Sequence, residues 1–245
     1  MDPAYARRYR DLAARHWWWR ARNARVRREV TRLLGSRRDA RILDVGCGDG
    51  VLFPFLSGFG EVEGIEPDPD VISPDGPWRD RIHVRRFDES FRAGRPYTLI
   101  LMLDVLEHLE DAAGALRHAA ALLDGGGRLL VTVPAFRMLW THHDTLNHHV
   151  TRFTRRRLAA AVHDAGMEVL TSRYLFQWLF FAKLAERARE GLTGPARPEE
   201  VPPRYLNDAL YYACRLEQPL ASAVLPFGSS LMAVMGRRPG NASGR

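Results

Sequence analysis

The stretch Ile42-Leu43-Asp44-Val45-Gly46-Cys47-Gly48-Asp49-Gly50 decides the fold. Ala40 to Val45 reads as a buried strand, and Val51 to Leu56 as a helix that Pro54 permits only in its first turn. A strand that passes through Asp-x-Gly-x-Gly-x-Gly into a helix makes a tight turn. Without Cβ atoms there, a ligand can lie against the backbone amides. The G-x-G-x-G spacing differs from the G-x-G-x-x-G that receives a pyrophosphate, and it favours a ligand with a nucleoside and an amino-acid tail. Sixteen residues past Gly50 the next strand, Glu61 to Glu66, ends on an acidic residue placed to accept from ribose hydroxyls.

Outward from this unit, strands and helices alternate. Ile82 to Phe87, Thr98 to Leu103, Arg128 to Val133 and Glu168 to Ser172 read as strands, with Thr98 to Leu103 apolar throughout, as a strand covered on both faces would be. Ala112 to Leu123 reads as a helix ended by Gly125-Gly126-Gly127, and Thr154 to Ala165 as another. Pro3 to Leu34 reads as an N-terminal helix. After the sixth strand come an aromatic helix from Tyr174 to Arg189, a proline-rich loop from Thr193 to Pro203 and an amphipathic helix from Tyr205 to Val224, before strand character returns at Ser229 to Met235. The expected architecture is an α/β, doubly wound, seven-stranded, mostly parallel sheet. Its parts are an N-terminal helical lid (1–38), a cofactor-binding core (39–173), a helical insertion (174–228), the last core strand (229–238) and a disordered tail (239–245).

Ile42 to Gly50, Glu66, Asp88 and the turn Asp104-Val105-Leu106-Glu107-His108-Leu109 together resemble the motifs of class I S-adenosylmethionine (SAM) dependent methyltransferases. The similarity covers roughly Ala40 to Ser172 and is nearest the small-molecule branch that includes ubiquinone-biosynthesis O-methyltransferases. It implies a Rossmann-like methyltransferase fold with SAM as cofactor. Asp44, Gly46, Cys47, Gly48 and Gly50 would hold the methionine part, Glu66 the ribose and Asp88 the adenine amino group. Asp104, Val105 and His108 would lie beside the sulfonium. One departure is the proline-rich segment Pro67, Pro69, Pro74 and Pro77, which shortens or abolishes the helix after the second strand.

Methyl transfer from a sulfonium is an in-line displacement, and a hydroxyl acceptor of high pKa also needs a base. His143 beside Asp144, or His149, on the loop after the fifth strand, are the candidates, because ligands bind at the carboxyl edge of open α/β sheets. The set His142, His143, Asp144, His148 and His149 matches no standard zinc spacing, so no metal is expected. In His16-Trp17-Trp18-Trp19-Arg20-Ala21-Arg22 the tryptophans either pack on the sheet edge or close over the cofactor. In the second case Trp19 excludes water and Arg20 or Arg22 pairs with the SAM carboxylate.

The aromatic face Leu175, Phe176, Trp178, Leu179, Phe180 and Phe181 points to a largely apolar or aromatic small-molecule acceptor, most simply O-methylated in bacterial secondary or lipid-linked metabolism. The same face also suits a homodimer interface or a peripheral membrane contact. The formal charge of +7 comes almost wholly from arginine, Lys183 being the single lysine, so it reads as coding bias and not as a nucleic-acid footprint. The Asn/Asp-Pro-Pro-aromatic motif of base-amine methylases is absent after the fourth strand. An RNA or protein methyltransferase, and a SAM-binding protein that does not methylate, are the competing readings. Cys47 and Cys214 read as reduced thiols, Met1 to Arg15 as too polar for a secretory signal, and Tyr174 to Leu184 as too short to span a bilayer, which together suggest a cytoplasmic enzyme.

Overall fold

The computed structural model describes residues 11–194, 200–221 and 225–238. Its seven strands are β1 (Ala40–Val45), β2 (Gly60–Glu66), β3 (Ile82–Val84), β4 (Tyr97–Leu103), β5 (Leu123–Pro134), β6 (Met167–Leu175) and β7 (Ser230–Arg237). The helices are α1 (Trp17–Leu34), α2 (Phe53–Leu56), α3 (Ala112–Leu122), α4 (His142–Leu146), α5 (Arg155–Asp164), α6 (Gln177–Thr193) and α7 (Arg204–Ala221). The sheet order is β3-β2-β1-β4-β5-β7-β6. β1 pairs in parallel with β2, and β2 with β3, whereas β7 lies antiparallel to both β5 and β6. The order reverses beside β1, the switch point at which open α/β sheets bind ligands.

Contacts divide the chain into two compact units. The first contains the chain through Leu101, with Leu122–Arg128 and Glu200–Arg215. Its core is built on Ile42, Leu43, Phe53, Leu56, Ile65, Tyr97, Leu99 and Ile100, all fully buried. The second contains Met102–Ala121, Leu129–Glu199 and Leu216–Arg245, with a core around Leu129, Leu130, Val131, Phe153, Met167, Phe176 and Met235. The segment read as a single insertion therefore divides, α6 falling in the second unit and most of α7 in the first.

Several boundaries differ from the sequence reading, for local reasons. The N-terminal helix breaks at His16, which has extended backbone and caps α1 through its ring nitrogen on the Trp18 N–H. Asn207 of α7 makes the break affordable. Its Oδ1 accepts from the Trp17 N–H at 2.8 Å and its Nδ2 donates to the Arg15 carbonyl at 3.0 Å, replacing helical partners. The expected Pro3 start lies outside the described residues, as do the Val224 end of the last helix and the tail from Pro239. Gly125-Gly126-Gly127 does not separate α3 from β5 but lies inside the strand. At Gly127 a Cβ would stand 2.8 Å from the Tyr97 carbonyl, so only glycine permits that close approach. β3 stops at Val84, short of the expected Phe87, and β6 runs on to Leu175, delaying α6 to Gln177. The four prolines after β2 leave two 3-10 turns, Pro69–Val71 and Arg79–Arg81, in place of a helix.

Candidate functional site

In the first unit, the loop after β1 is a left-handed path through three glycines, with φ of 71°, 55° and 72° at Gly46, Gly48 and Gly50. Nothing lies within 4 Å of where a Gly48 Cβ would stand, whereas at Gly50 it would press on the Phe53 ring. Gly48 thus offers open backbone and Gly50 a packed turn. Glu66, at the end of β2, accepts from the Gly48 N–H and the Asp68 N–H, each at 3.0 Å. Burial raises its pKa, and those two donors act against the rise. The carboxylate read as a ribose ligand is therefore also the clasp that holds the glycine loop. Asp49 fixes the neighbouring turn by accepting from the Ser73 N–H at 2.7 Å.

Asp44 is buried, and its pKa is pushed up to about 7 by desolvation, against the opposing pull of Arg22. Arg22 is buried as well, one turn past the buried Trp19 on α1. Arg20 is committed elsewhere: it pairs with Asp208 at 2.7 Å and stacks over the Tyr211 ring. Of the two arginines considered for a carboxylate, only Arg22 faces Asp44. Burial pushes the Cys47 thiol well above the ordinary thiol range, with Asp44 and Glu66 adding to the effect, so it is inert as a nucleophile. Asp88 is exposed and caps a turn by accepting from Ser90, whose N–H donates at 2.9 Å. Arg85 also lies 3.9 Å from the Asp88 Oδ1.

In the second unit, the turn after β4 begins at Asp104, which sits in left-handed backbone at φ 57°. Thr132 holds it there, its hydroxyl donating to Asp104 Oδ1 at 3.0 Å and its carbonyl accepting the Asp104 N–H. Val105 then leads into a 3-10 turn, Leu106–His108. Glu107 is completely buried, and its carbonyl accepts the Val150 N–H at 2.8 Å, tying this turn to the histidine loop.

The histidine loop contains a short helix where a loop was expected, and its centre is Asp144. This fully buried carboxylate receives His149 Nδ1 at 2.8 Å, Arg152 Nε and Nη2 at 2.8 and 2.9 Å, and the Thr141 N–H at 2.9 Å. Burial alone would raise its pKa, but the bonds from His149 and Arg152 hold it well below the usual carboxylate range. The imidazole bonded to Asp144 is that of His149. Adjacent residues on α4 point apart, and the acid reaches His149 five positions on. With Nδ1–H given to Asp144, His149 presents Nε2 as its open nitrogen. Its ring meets that of His108 edge to face, with centroids 4.8 Å apart. His108 is pushed down to about 4, chiefly by desolvation and then by His149. Among the described residues, donor atoms of Glu107, His108 and His149 all lie within 4.8 Å of one another. His143 stands further off, 6.4 Å from the His149 ring, with Asn147 against it.

Arg152 and Glu107 are the residues that sequence reasoning missed. Glu107 stood inside a quoted motif, and that place was its only sequence signal; Arg152 is one arginine among many and had none. An aromatic cluster also assembles in this unit. Phe136 stacks on Tyr174 at 4.9 Å and meets Phe180, which contacts Phe181 and Phe227. Of the face read from sequence, Leu175 and Phe176 are buried, while Phe181 remains 59% exposed.

Residues 18–172 match the family described as "Methyltransferase domain". A ubiquinone biosynthesis O-methyltransferase of Azorhizobium caulinodans is 27% identical over 177 residues, covering 69% of this chain but only 56% of the relative. Another from Thiobacillus denitrificans is 25% identical over 221 residues, covering 82% of this chain and 86% of the relative. Among solved structures, a Haloferax volcanii methyltransferase in complex with the Trm112 methyltransferase activator superposes with a TM-score of 0.61, at 16% identity and over 98% and 97% of the two chains. The glycine cradle at Gly48, with an acid and a buried arginine beside it, fits the nucleoside and the zwitterionic tail of SAM, the cofactor of this family. The chain belongs to the methyltransferase-domain family, in the class I SAM-dependent group.

Proposed function

We propose that the protein transfers the SAM methyl group to a hydroxyl of a small, largely apolar or aromatic acceptor. The observation that carries this reading is the buried Asp144 holding His149 by its Nδ1, an arrangement that fixes one imidazole in one tautomer and leaves Nε2 as its basic nitrogen. Proton removal is what a hydroxyl acceptor requires and a carboxylate acceptor does not.

In this mechanism Asp44 pairs with the ammonium and Arg22 with the carboxylate of the SAM tail. The amides of the Gly46–Gly50 loop lie against the cofactor backbone, and Glu66 accepts from the ribose while anchoring the loop. Bound SAM supplies an electrophilic methyl on sulfur. On transfer that methyl would leave the carbon–sulfur electron pair on sulfur and the acceptor would lose its hydroxyl proton. The hydroxyl proton leaves through the His149 site, which Arg152 and Thr141 stabilise by fixing Asp144. The aromatic cluster of Phe136, Tyr174 and Phe180 is the surface suited to the acceptor's apolar part. The similarity to O-methyltransferases of ubiquinone biosynthesis supports a phenolic class of acceptor. N-terminal helix α1 serves as the wall over the cofactor tail, with Trp19 and Arg22 on its inner face.

The test is methyl-labelled SAM incubated with a panel of catechols, phenols, amines and carboxylates. A labelled methyl ether from a phenolic acceptor is the expected product. His149→Ala should lower turnover by about 10²–10⁴-fold with SAM affinity nearly intact, and His143→Ala by much less. Label appearing only on amines or carboxylates, or equal turnover in the His149 variant, would overturn hydroxyl chemistry. SAM binding with no transfer to any acceptor would favour a protein that uses the cofactor without methylating.

A further inference from the structure

We propose that Arg137 selects the acceptor by binding a carboxylate carried on the same ring as the hydroxyl to be methylated, so that the substrate class is a hydroxylated aromatic acid. The inference rests on the hydroxyl reading above for the group that is methylated, but not for the carboxylate subsite itself.

Arg137 opens the 3-10 turn Arg137–Leu139, directly after Phe136 of the aromatic cluster. Its guanidinium lies over the Trp140 ring, 4.2 Å from the centroid, and its Nη1 stands 3.5 Å from the Val150 carbonyl, one residue past His149. The cation is thus tied to the segment that carries the base and joined in sequence to the aromatic surface. An arginine free in water loses side-chain entropy when a ligand orders it. Stacking on Trp140 has already restricted this one, which lowers the cost of binding an anion. The stack covers a face of the guanidinium and leaves the N–H groups in its plane, which are the donors a carboxylate needs. The turn beneath is fixed as well. Arg187 of α6 donates from Nη1 to the carbonyls of Arg137 and Met138, at 3.2 and 2.8 Å.

The acids around this turn are committed elsewhere. Asp144 is taken by His149 and Arg152, Glu186 by Lys183 at 3.0 Å, and Glu190 by the His142 N–H at 3.0 Å. Among the described residues neither Arg137 nor Arg187 forms an ion pair, so the turn presents two positive charges without a paired carboxylate. A guanidinium binds a carboxylate through parallel N–H···O bonds, which orient the acid as well as hold it. An aromatic acid with its ring against Phe136 and Phe180 would give its carboxylate to Arg137 and leave its hydroxyl to the His149 side.

The full chain with S-adenosylhomocysteine is titrated by calorimetry with benzoate and with benzamide, which share the ring and differ in charge. Benzoate should bind at least about 10-fold tighter. Arg137→Met should remove that preference and Arg137→Lys should keep part of it, since a lysine retains the charge without the planar fork. Arg28→Met, at an exposed position of α1, should leave it unchanged. In turnover, a dihydroxybenzoate should show a KM at least about 10-fold below that of catechol at similar kcat, and Arg137→Met should raise the KM of the acid alone. Benzoate binding no tighter than benzamide, or a preference that survives in Arg137→Met, overturns the subsite even if phenols are methylated. A methyl ester formed from the acid also overturns it, because the carboxylate would then sit at the sulfonium. An Arg137-dependent preference for benzoate, with methyl transfer only to the ring amine of an aminobenzoate, upholds the subsite and removes the hydroxyl reading instead.

Discussion

The two units of the molecule place left-handed backbone on different kinds of residue. Among the described residues of the first, every positive φ falls on glycine: Gly35, Gly46, Gly48, Gly50 and Gly60. In the second, beside Gly166 and Gly194, four side-chain-bearing residues carry it, Asp104, Phe136, His148 and Phe176. Each costs roughly 1–2 kcal/mol relative to ordinary backbone. The glycines of the loop after β1 leave bare amides and no side chains in the proposed cofactor site. The four strained residues keep side chains at such turns, two flanking the polar cluster around Asp144 and two in or beside the aromatic cluster. One unit keeps bare backbone at its tight turns, the other keeps side chains at several of them.

The largest expected effect comes from the polar centre of the second unit. Asp144→Ala would leave Arg152 buried without its carboxylate and His149 without its Nδ1 partner. Truncating one member of a buried pair costs about 3–5 kcal/mol, to be read by urea denaturation. A loss below about 1 kcal/mol would mean that the network organises the loop without stabilising the fold.

In the first unit the corresponding test is Gly48→Val. No neighbour obstructs a Cβ there, so a stability loss would come from φ 55° alone, while bound SAM would meet the new methyls. SAM affinity should fall at least about 100-fold by calorimetry, with unfolding stability reduced by about 1–2 kcal/mol. Equal affinity in the variant would remove the loop from the cofactor site.

Asp44 provides a pH test of the same half. Its folded pKa, about 7, stands above the ordinary 3.8 because burial disfavours the charge. The stability that this group contributes is fully present below the unfolded value and is lost as pH rises through about 7. An ammonium from SAM favours the ionised form, so cofactor binding should release a proton near pH 6. SAM affinity should then rise by about threefold to tenfold from pH 6 to pH 8. Asp44→Asn should flatten both profiles; a wild-type affinity independent of pH would place the ammonium elsewhere.

This contrast also explains what the sequence could reveal. The glycine turn of the first half was legible because its signals are local: glycines at fixed spacing after a strand, and an acid at the end of the next one. The sheet's alternation was legible for the same reason. The second half depends on pairings that spacing does not encode. Asp144 joins His149 and Arg152, five and eight positions on, across the end of a short helix. Gly125 to Gly127 read as a stop, yet the backbone's approach to Tyr97 makes Gly127 part of a strand. The break at His16 needs Asn207, nearly the whole chain away. Boundaries failed wherever a distant side chain supplied the hydrogen bond.

The smallest expected effect tests whether strain in the second unit is kept for its side chains. His148 has φ 55° and lies exposed between the helix α4 and His149, its imidazole adding a minor charge effect at His108. Glycine takes that conformation without a Cβ clash, at the expense of greater freedom in the unfolded chain. The relief of roughly 1–2 kcal/mol exceeds the added entropy of about 0.5–1 kcal/mol. His148→Gly should therefore stabilise the fold by about 0.5–1 kcal/mol, measured by the denaturation midpoint at constant m-value. Asp104→Gly relieves the same strain but deletes the bond from the Thr132 hydroxyl, and should gain nothing. If both variants stabilise equally, the side chains at these turns are incidental and the division between the two units is one of packing. If His148→Gly instead destabilises, its imidazole is doing more than bearing the turn, and the histidine loop has a third working member.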